Sequence, residues 1–251
     1  MKFKRTVAEF FAGIGLMRMG LEAAGWRVVW ANDIDADKRR MYQGHYQNDT
    51  ADFRLGDVHE VSPREIPLVS LATASFPCND LSLAGARRGL AGRQSGAFWG
   101  FVDKLRGMGA RQPPLVLLEN VPGFLTSHGG DDFRDACLAL NDLGYVVDAF
   151  MIDAARFVPQ SRLRLFLIGM RAGRGVAQVA ETSSFYESQC RPRVLAEYIL
   201  WHPEIRWSIR PLPPIAGRST TLAEILEDLP EESPHWWSPE RAEYLLRQMS
   251  E

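Results

Sequence analysis

Cysteine is scarce and badly spaced for cross-linking. The three at 78, 137 and 190 form no C-x-x-C pair, and the five histidines are scattered, so neither a disulfide framework nor a zinc site is suggested and no metal is expected. An excess of one charge is also missing. With 29 Lys and Arg against 31 Asp and Glu, the formal net charge is -2, which excludes a protein that coats nucleic acid non-specifically and leaves room only for a local patch. Long apolar runs are absent too. Met1-Lys-Phe-Lys-Arg5 and the residues after it mimic a signal peptide faintly, but Glu9 and Arg18 interrupt the run, and no stretch approaches the length needed to span a bilayer. The expected location is a reducing cytoplasm, with no membrane partner. What remains is an ordinary globular composition, 46% hydrophobic, enough for one large core and a small appendage.

The chain starts with a pattern that predicts one β-α-β unit. Thr6 to Phe11 is a short strand candidate, Ala12-Gly-Ile-Gly15 a turn into a helix over about Leu16 to Ala24, closed by Gly25, and Arg27 to Ala31 a second strand ending at Asn32-Asp33-Ile34-Asp35. Glycines in such a turn let backbone N–H groups approach a ligand closely, and an acid at the end of the second strand can accept hydrogen bonds from ribose hydroxyls. Alone the turn is a weak signal, since many glycine turns merely connect elements. Leu55-Gly-Asp57-Val58 closes a third short element, and from sequence Asp57 reads nearly as well as a solvated turn residue.

Three later stretches carry the chemistry. Pro67 to Ala74 reads as a buried strand, followed by Ser75-Phe-Pro77-Cys78-Asn-Asp-Leu-Ser82 and then by a Gly- and Arg-rich loop, Gly85 to Gly96. Cys78 therefore falls at the carboxyl end of a strand, the sheet edge where ligands bind in α/β folds. Most free cysteines are small buried hydrophobes, and Cys137, on a helix face with Phe133 and Leu140, fits that ordinary reading. A thiol with a pKa near 8.5 is only about 3% thiolate at pH 7, yet that thiolate is a strong carbon nucleophile. Leu115 to Leu118 is another buried strand that delivers Glu119, and a carboxylate behind four apolar residues must be paired or its pKa must rise. Arg162 and Arg164 precede and begin the strand Leu163 to Met170; being two apart, they point alike. They could instead pair with surface acids. Phe98, Phe101, Val102, Leu105 and Met108, at spacings of three and four, predict a structural helix face.

Phe11-Ala-Gly-Ile-Gly15, the Pro77-Cys78 stretch, Glu119-Asn120-Val121 and Gln160-Ser-Arg162-Leu-Arg164, in this order, resemble the cytosine-5 DNA methyltransferase family over about residues 5 to 171. The fold implied is α/β, a Rossmann-like S-adenosylmethionine-dependent methyltransferase core whose mostly parallel sheet carries helices on both faces. The cofactor implied is S-adenosylmethionine, with Phe11 beside the adenine, Gly13 and Gly15 along the methionine, Asp33 on the ribose, Ile34 on the base and Asp57 facing the adenine amino group; Ala12, Ile14, Val58 and Pro77 complete the set. Two details depart from the commoner pattern: Leu16 stands where a third glycine often occurs, and Asp33 replaces a more frequent Glu. The resemblance makes Cys78 the nucleophile at carbon 6 of a flipped-out cytosine, Glu119 its helper at the base, and Arg162 and Arg164 the groups that hold the base. Ser82, Arg87, Arg88 and Arg93 would meet phosphates of double-stranded DNA. A transfer-RNA cytosine methyltransferase, a small-molecule methyltransferase and an inactive DNA-binding remnant are the competing readings.

Beyond Arg171 the expectation is an irregular connecting region over 172–219 and a short helical tail over 220–251. Thr221-Leu-Ala-Glu224 is a capping box, and Ser238-Pro239 starts a helix. Trp201, Trp207, Trp236 and Trp237 crowd this last fifth. Because family members continue with a target-recognition domain, the chain is expected to be one subunit or a truncated part of the complete enzyme, folding alone but methylating poorly, with a second polypeptide as a partner.

Overall fold

The computed structural model describes residues 4–47, 51–77, 96–171, 188–215, 217 and 220–248. Seven strands make one sheet: β1 (Thr6–Phe10), β2 (Arg27–Asp33), β3 (Asp52–Leu55), β4 (Leu71–Ala74), β5 (Leu115–Asn120), β6 (Tyr145–Asp153) and β7 (Leu163–Arg171). Their order is β3-β2-β1-β4-β5-β7-β6. The first five pair in parallel, and β7 runs antiparallel between β5 and β6. A short link suffices between antiparallel neighbours, whereas parallel strands need a long crossover, and the interval from β6 to β7 is the short one.

Alternation along the strands decides the faces. Ala8, Phe10, Trp30, Ala72, Ala74, Val116 and Leu118 share a core with α3 (Ala97–Met108), the one-turn α4 (Gly123–Thr126) and α5 (Asp131–Asp142). The ring of Phe10 lies 5.0 Å from Trp30 and 4.9 Å from Phe101. On the other face Val7, Val28 and Leu71 meet Leu21 of α1 (Leu16–Ala23) together with Trp26, and Ala31 and Phe53 meet Tyr42 of α2 (Ala36–His45). Helices therefore cover both faces, as the resemblance implies. The five apolar residues expected on one face of α3 are all buried. Cys137 is fully buried in α5, and burial pushes its thiol well above the ordinary range.

Three expectations meet corrections, the third in the tail. The strand expected over Pro67 to Ala74 begins only at Leu71 and leaves Leu68 exposed; Ser70 is instead held by its backbone N–H to Thr6 O (3.0 Å) and by its hydroxyl to Lys4 O (2.5 Å). The stretch 172–219, expected to be irregular, contains α6 (Arg193–Trp201), which buries Leu195, Ala196, Tyr198 and Ile199. Around α6 the backbone lines the outer edge of β6: Met151 N–H donates to Cys190 O (2.7 Å), Val147 N–H to Arg206 O (3.0 Å) and Ser208 N–H to Val147 O (2.7 Å). An edge strand left open presents unpaired backbone groups, and these segments satisfy them.

The chain divides into two compact units, Met1–Asp153 with Ser161–Pro214, and Ala154–Gln160 with Ile215–Glu251. In the second, α7 (Pro239–Leu246) starts as expected, Ser238 Oγ accepting from Arg241 N–H at 3.4 Å. The capping box forms its contacts, Glu224 accepting from Thr221 N–H (2.5 Å) and Oγ1 (3.0 Å). It is followed by a turn rather than the expected helix, with Leu222, Ile225 and Leu226 exposed, because a single cap cannot offset helix nucleation without an apolar face to bury. Among the described residues no helix is long and apolar enough to cross a membrane.

Candidate active site

Strand direction explains why residues far apart in sequence meet. The parallel strands β1, β2, β3, β4 and β5 all present their carboxyl ends at one edge, and the antiparallel β7 brings its first residues to that same edge. The order reverses between β1 and β4, the switch point at which open α/β sheets bind ligands. A cleft of about 800 Å³ opens there, lined by Phe11, Gly13, Asp33, Ile34, Asp57, Val58, Pro77, Glu119, Arg162 and Arg164 among others.

The glycine turn after β1 has an unusual backbone. Phe11, Gly13 and Gly15 have φ of 56°, 57° and 89°, the left-handed region that suits glycine and strains phenylalanine. Asp33, buried at the end of β2, accepts from Gly13 N–H (2.8 Å) on one carboxylate oxygen and from Asp35 N–H (2.9 Å) on the other. A methyl group placed on Gly13 would meet no protein atom within 4 Å, whereas one on Gly15 would lie 2.6 Å from the Tyr46 ring. Gly13 thus faces open cleft, and Gly15 is where two tyrosines pack under the turn.

Under that turn lies a polar cluster that sequence reading misses. Glu9, 1% exposed, accepts from Arg18 N–H (3.1 Å) and from Tyr42 OH (3.3 Å). The Arg18 guanidinium donates to Glu22 (2.9 Å) and to Tyr42 OH (3.1 Å) and lies 3.7 Å from the centre of the Tyr46 ring, while Tyr46 OH donates to Gly15 O (2.8 Å). Burial pushes the Glu9 carboxyl from 4.5 up to about 7, against the hydrogen bonds from Arg18 and Tyr42 that pull it down. Because the folded value lies above the unfolded one, the native state binds the proton more tightly; that stabilisation is full below about 4.5 and lost as pH rises through about 7. Glu9→Gln keeps the shape without the ionisation. From about pH 5 to about pH 8, the stability of the unmodified chain is expected to fall relative to Glu9→Gln by on the order of 3 kcal/mol, read from urea denaturation. A pH-independent difference would contradict this account.

On the other side of the cleft, Glu119 pairs with Arg164 Nε at 2.9 Å, the two side chains being 22% and 19% exposed. Pairing resolves the cost of a carboxylate behind an apolar strand. The start of β7 is held from β6, Asp153 accepting from Arg162 N–H (2.7 Å) and Ser161 OH (3.0 Å). Two asparagines knit the strand ends together. Asn32 donates to Arg54 O (2.8 Å) and Gly56 O (2.9 Å), and Asn120 donates to Phe76 O (3.3 Å) while its side-chain oxygen accepts from Val121 N–H (2.8 Å). Asn120 thereby fixes the backbone two residues before Cys78.

Not every expected residue lines the cleft. Ala12 is buried in the cluster around Tyr42, and Ala12, Ile14 and Gly15 are not among the lining residues. Cys78, Ser82, Arg87, Arg88 and Arg93 lie outside the described residues. Lys38, His59 and Ala97 line the cleft without having been singled out; His59, two residues after Asp57, is the one that position could have suggested. Among the described residues no three His, Cys, Asp or Glu side chains converge as metal ligands.

Comparison with known proteins bears on the family and the fold. The type II methyltransferase M.Bsp6I of Bacillus sp. (strain RFL6) is 30% identical over 168 residues, 66% of this chain and 52% of that protein. M.HaeII of Haemophilus aegyptius is 33% identical over 170 residues, covering 67% and 51%. The chain thus spans about half the length of these curated relatives. A crystal structure of a Spodoptera frugiperda DNMT2 variant shares the fold, with a TM-score of 0.61 at 18% identity over 90% of this chain and 60% of that one. The family model for C-5 cytosine-specific DNA methylase matches residues 5–248, nearly the whole sequence, and the chain accordingly belongs to that family.

Proposed function

We propose that the chain transfers a methyl group from S-adenosylmethionine to carbon 5 of cytosine in double-stranded DNA, through a transient bond between Cys78 and a base turned out of the duplex. The observation that carries this reading is the convergence on one cleft of the glycine turn, Asp33, the Pro77 backbone leading into Cys78, and the Glu119–Arg164 pair. The residues present fit the cofactor. Gly13 leaves space for it, Asp33 keeps lone pairs for ribose hydroxyls, and Ile34, 68% exposed although apolar, offers a surface to a flat base. When bound, the cofactor supplies an electrophilic methyl group.

The chain's own residues do the rest. The Cys78 thiolate adds to carbon 6, a C–S bond forms, and the ring electrons move toward carbon 5 and nitrogen 3, where the Glu119 carboxyl provides or shares a proton. Arg164, held by Glu119, and Arg162 orient the base and stabilise charge on its carbonyl oxygen. Once carbon 5 is methylated, its proton passes to water, the electrons of that C–H bond restore the double bond between carbons 5 and 6, the Cys78 sulfur leaves as thiolate, and the proton on nitrogen 3 returns to Glu119. Turning the base out costs a few kcal/mol, offset by pocket and backbone contacts, the latter from Ser82, Arg87, Arg88 and Arg93. We place the protein in the cytoplasm at DNA.

Labelled methyl transfer tests this. Cytosine-containing duplex DNA should accept the label, and duplex already methylated at every cytosine carbon 5 should not. Transfer to RNA in preference to DNA would overturn the substrate. The reading includes a second polypeptide carrying a target-recognition domain. The assay is therefore run with and without the product of the adjacent reading frame; restored turnover on its addition supports the partner, and full turnover by the chain alone removes it.

A further inference from the structure

His59 belongs to none of the roles assigned so far, yet it is held in place from three directions. Its backbone N–H and its ring Nδ1 both reach the same oxygen of Asp57, each at 2.9 Å. Lys104 of α3 donates to its carbonyl at 2.7 Å. Gly100 of α3 supplies the room for its ring: a Cβ there would lie 3.0 Å from His59 Nε2 and 2.6 Å from Val58 Cγ1. To meet a carboxylate, Nδ1 must carry the hydrogen, which sets the tautomer of the neutral ring.

The consequence falls on Asp57. A carboxylate oxygen that already accepts from two donors is fixed in direction, and its partner oxygen becomes the acceptor available to a ligand. The hydrogen bonds from the His59 backbone and ring hold the Asp57 carboxyl below the usual range, keeping it an acceptor at neutral pH. Asp57, Val58 and Ile34 line one end of the cleft, so an amino group on a flat ring is the chemistry this end would recognise.

We propose that His59 is a positioning residue for adenine recognition, orienting the Asp57 carboxylate toward the exocyclic amine of the cofactor base; this rests on the cofactor reading given above. The test is calorimetric titration of the full chain with S-adenosylhomocysteine and with its inosine counterpart, which lacks that amine. His59→Ala should bind the adenosine compound about fivefold more weakly, a modest loss because the pair is about half exposed. Its preference over the inosine compound should shrink by a similar factor. His59→Asn, which keeps a donor near the Nδ1 position, should recover most of both, and in an Asp57→Ala background His59→Ala should cost nothing further. Equal losses for the two compounds, or unchanged binding by His59→Ala, would overturn the proposal while leaving the cofactor reading intact. Binding of neither compound by the unmodified chain would overturn both.

Discussion

A Cys78→Ala chain is expected to form no covalent complex with duplex DNA carrying 5-fluorocytosine, and to lose labelled methyl transfer entirely. The argument is chemical. Carbon 6 of cytosine is a weak electrophile, and only addition of a nucleophile there makes carbon 5 electron-rich enough to take a methyl group; removing the sulfur removes that route. Glu119→Gln should lower turnover by about 10²–10⁴-fold, the range for a positioned acid or base, with cofactor binding retained because Glu119 lies across the cleft from the glycine turn and Asp33. Since Arg164 pairs with Glu119 at 2.9 Å, the losses from Arg164→Ala and Glu119→Gln should not add. Retention of covalent trapping by Cys78→Ala would remove the mechanism.

Arg191→Ala should be the most damaging substitution for stability, costing about 3–5 kcal/mol, the range for breaking a buried ion pair from one side. Arg191 is 2% exposed; its Nη2 donates to both oxygens of Asp148 (2.8 and 2.9 Å) and to Arg210 O (2.8 Å), and its Nε donates to Ala149 O (3.0 Å). Burial already lifts the Asp148 carboxyl above its usual value, with Arg191 opposing. Without the guanidinium, a buried carboxylate loses its cation. Replacing both partners, Asp148→Leu with Arg191→Met, should recover most of the loss, because no charge is then left in the core. Urea denaturation of the two variants beside the unmodified chain checks this, and a cost below about 1 kcal/mol for Arg191→Ala would match an exposed pair instead.

The same pair shows where reading the chain in one dimension fails. The run Glu187-Ser-Gln-Cys190 that leads into Arg191 carries no helical or strand period. Its order comes from the outer edge of β6, whose backbone groups need partners supplied from about 40 to 60 residues further on. Glu9 is a similar case. An acid in a strand pattern reads as solvent-facing, and its burial depends on Arg18 and Tyr42, which two helices bring over it. His59 is half local: its place two residues after Asp57 is legible in the chain, but the room that Gly100, 41 residues away, leaves for its ring is announced by no local pattern.

What the order of residues determined by itself was the period and the punctuation: apolar runs that had to be strands, a three- and four-spaced helix over Phe98 to Met108, glycines where the backbone turns back, and acids at strand ends. Those features are local, and the α/β class and the cleft follow from them because parallel strands must all end on one side. The tertiary structure alone decided which polar groups are buried and who satisfies them. Desolvation and hydrogen bonding depend on neighbours in space, so the pairing of Glu119 with Arg164, the raised Glu9 beneath the turn and the Arg191 tie became visible only once the sheet had brought distant segments within about 3 Å of one another.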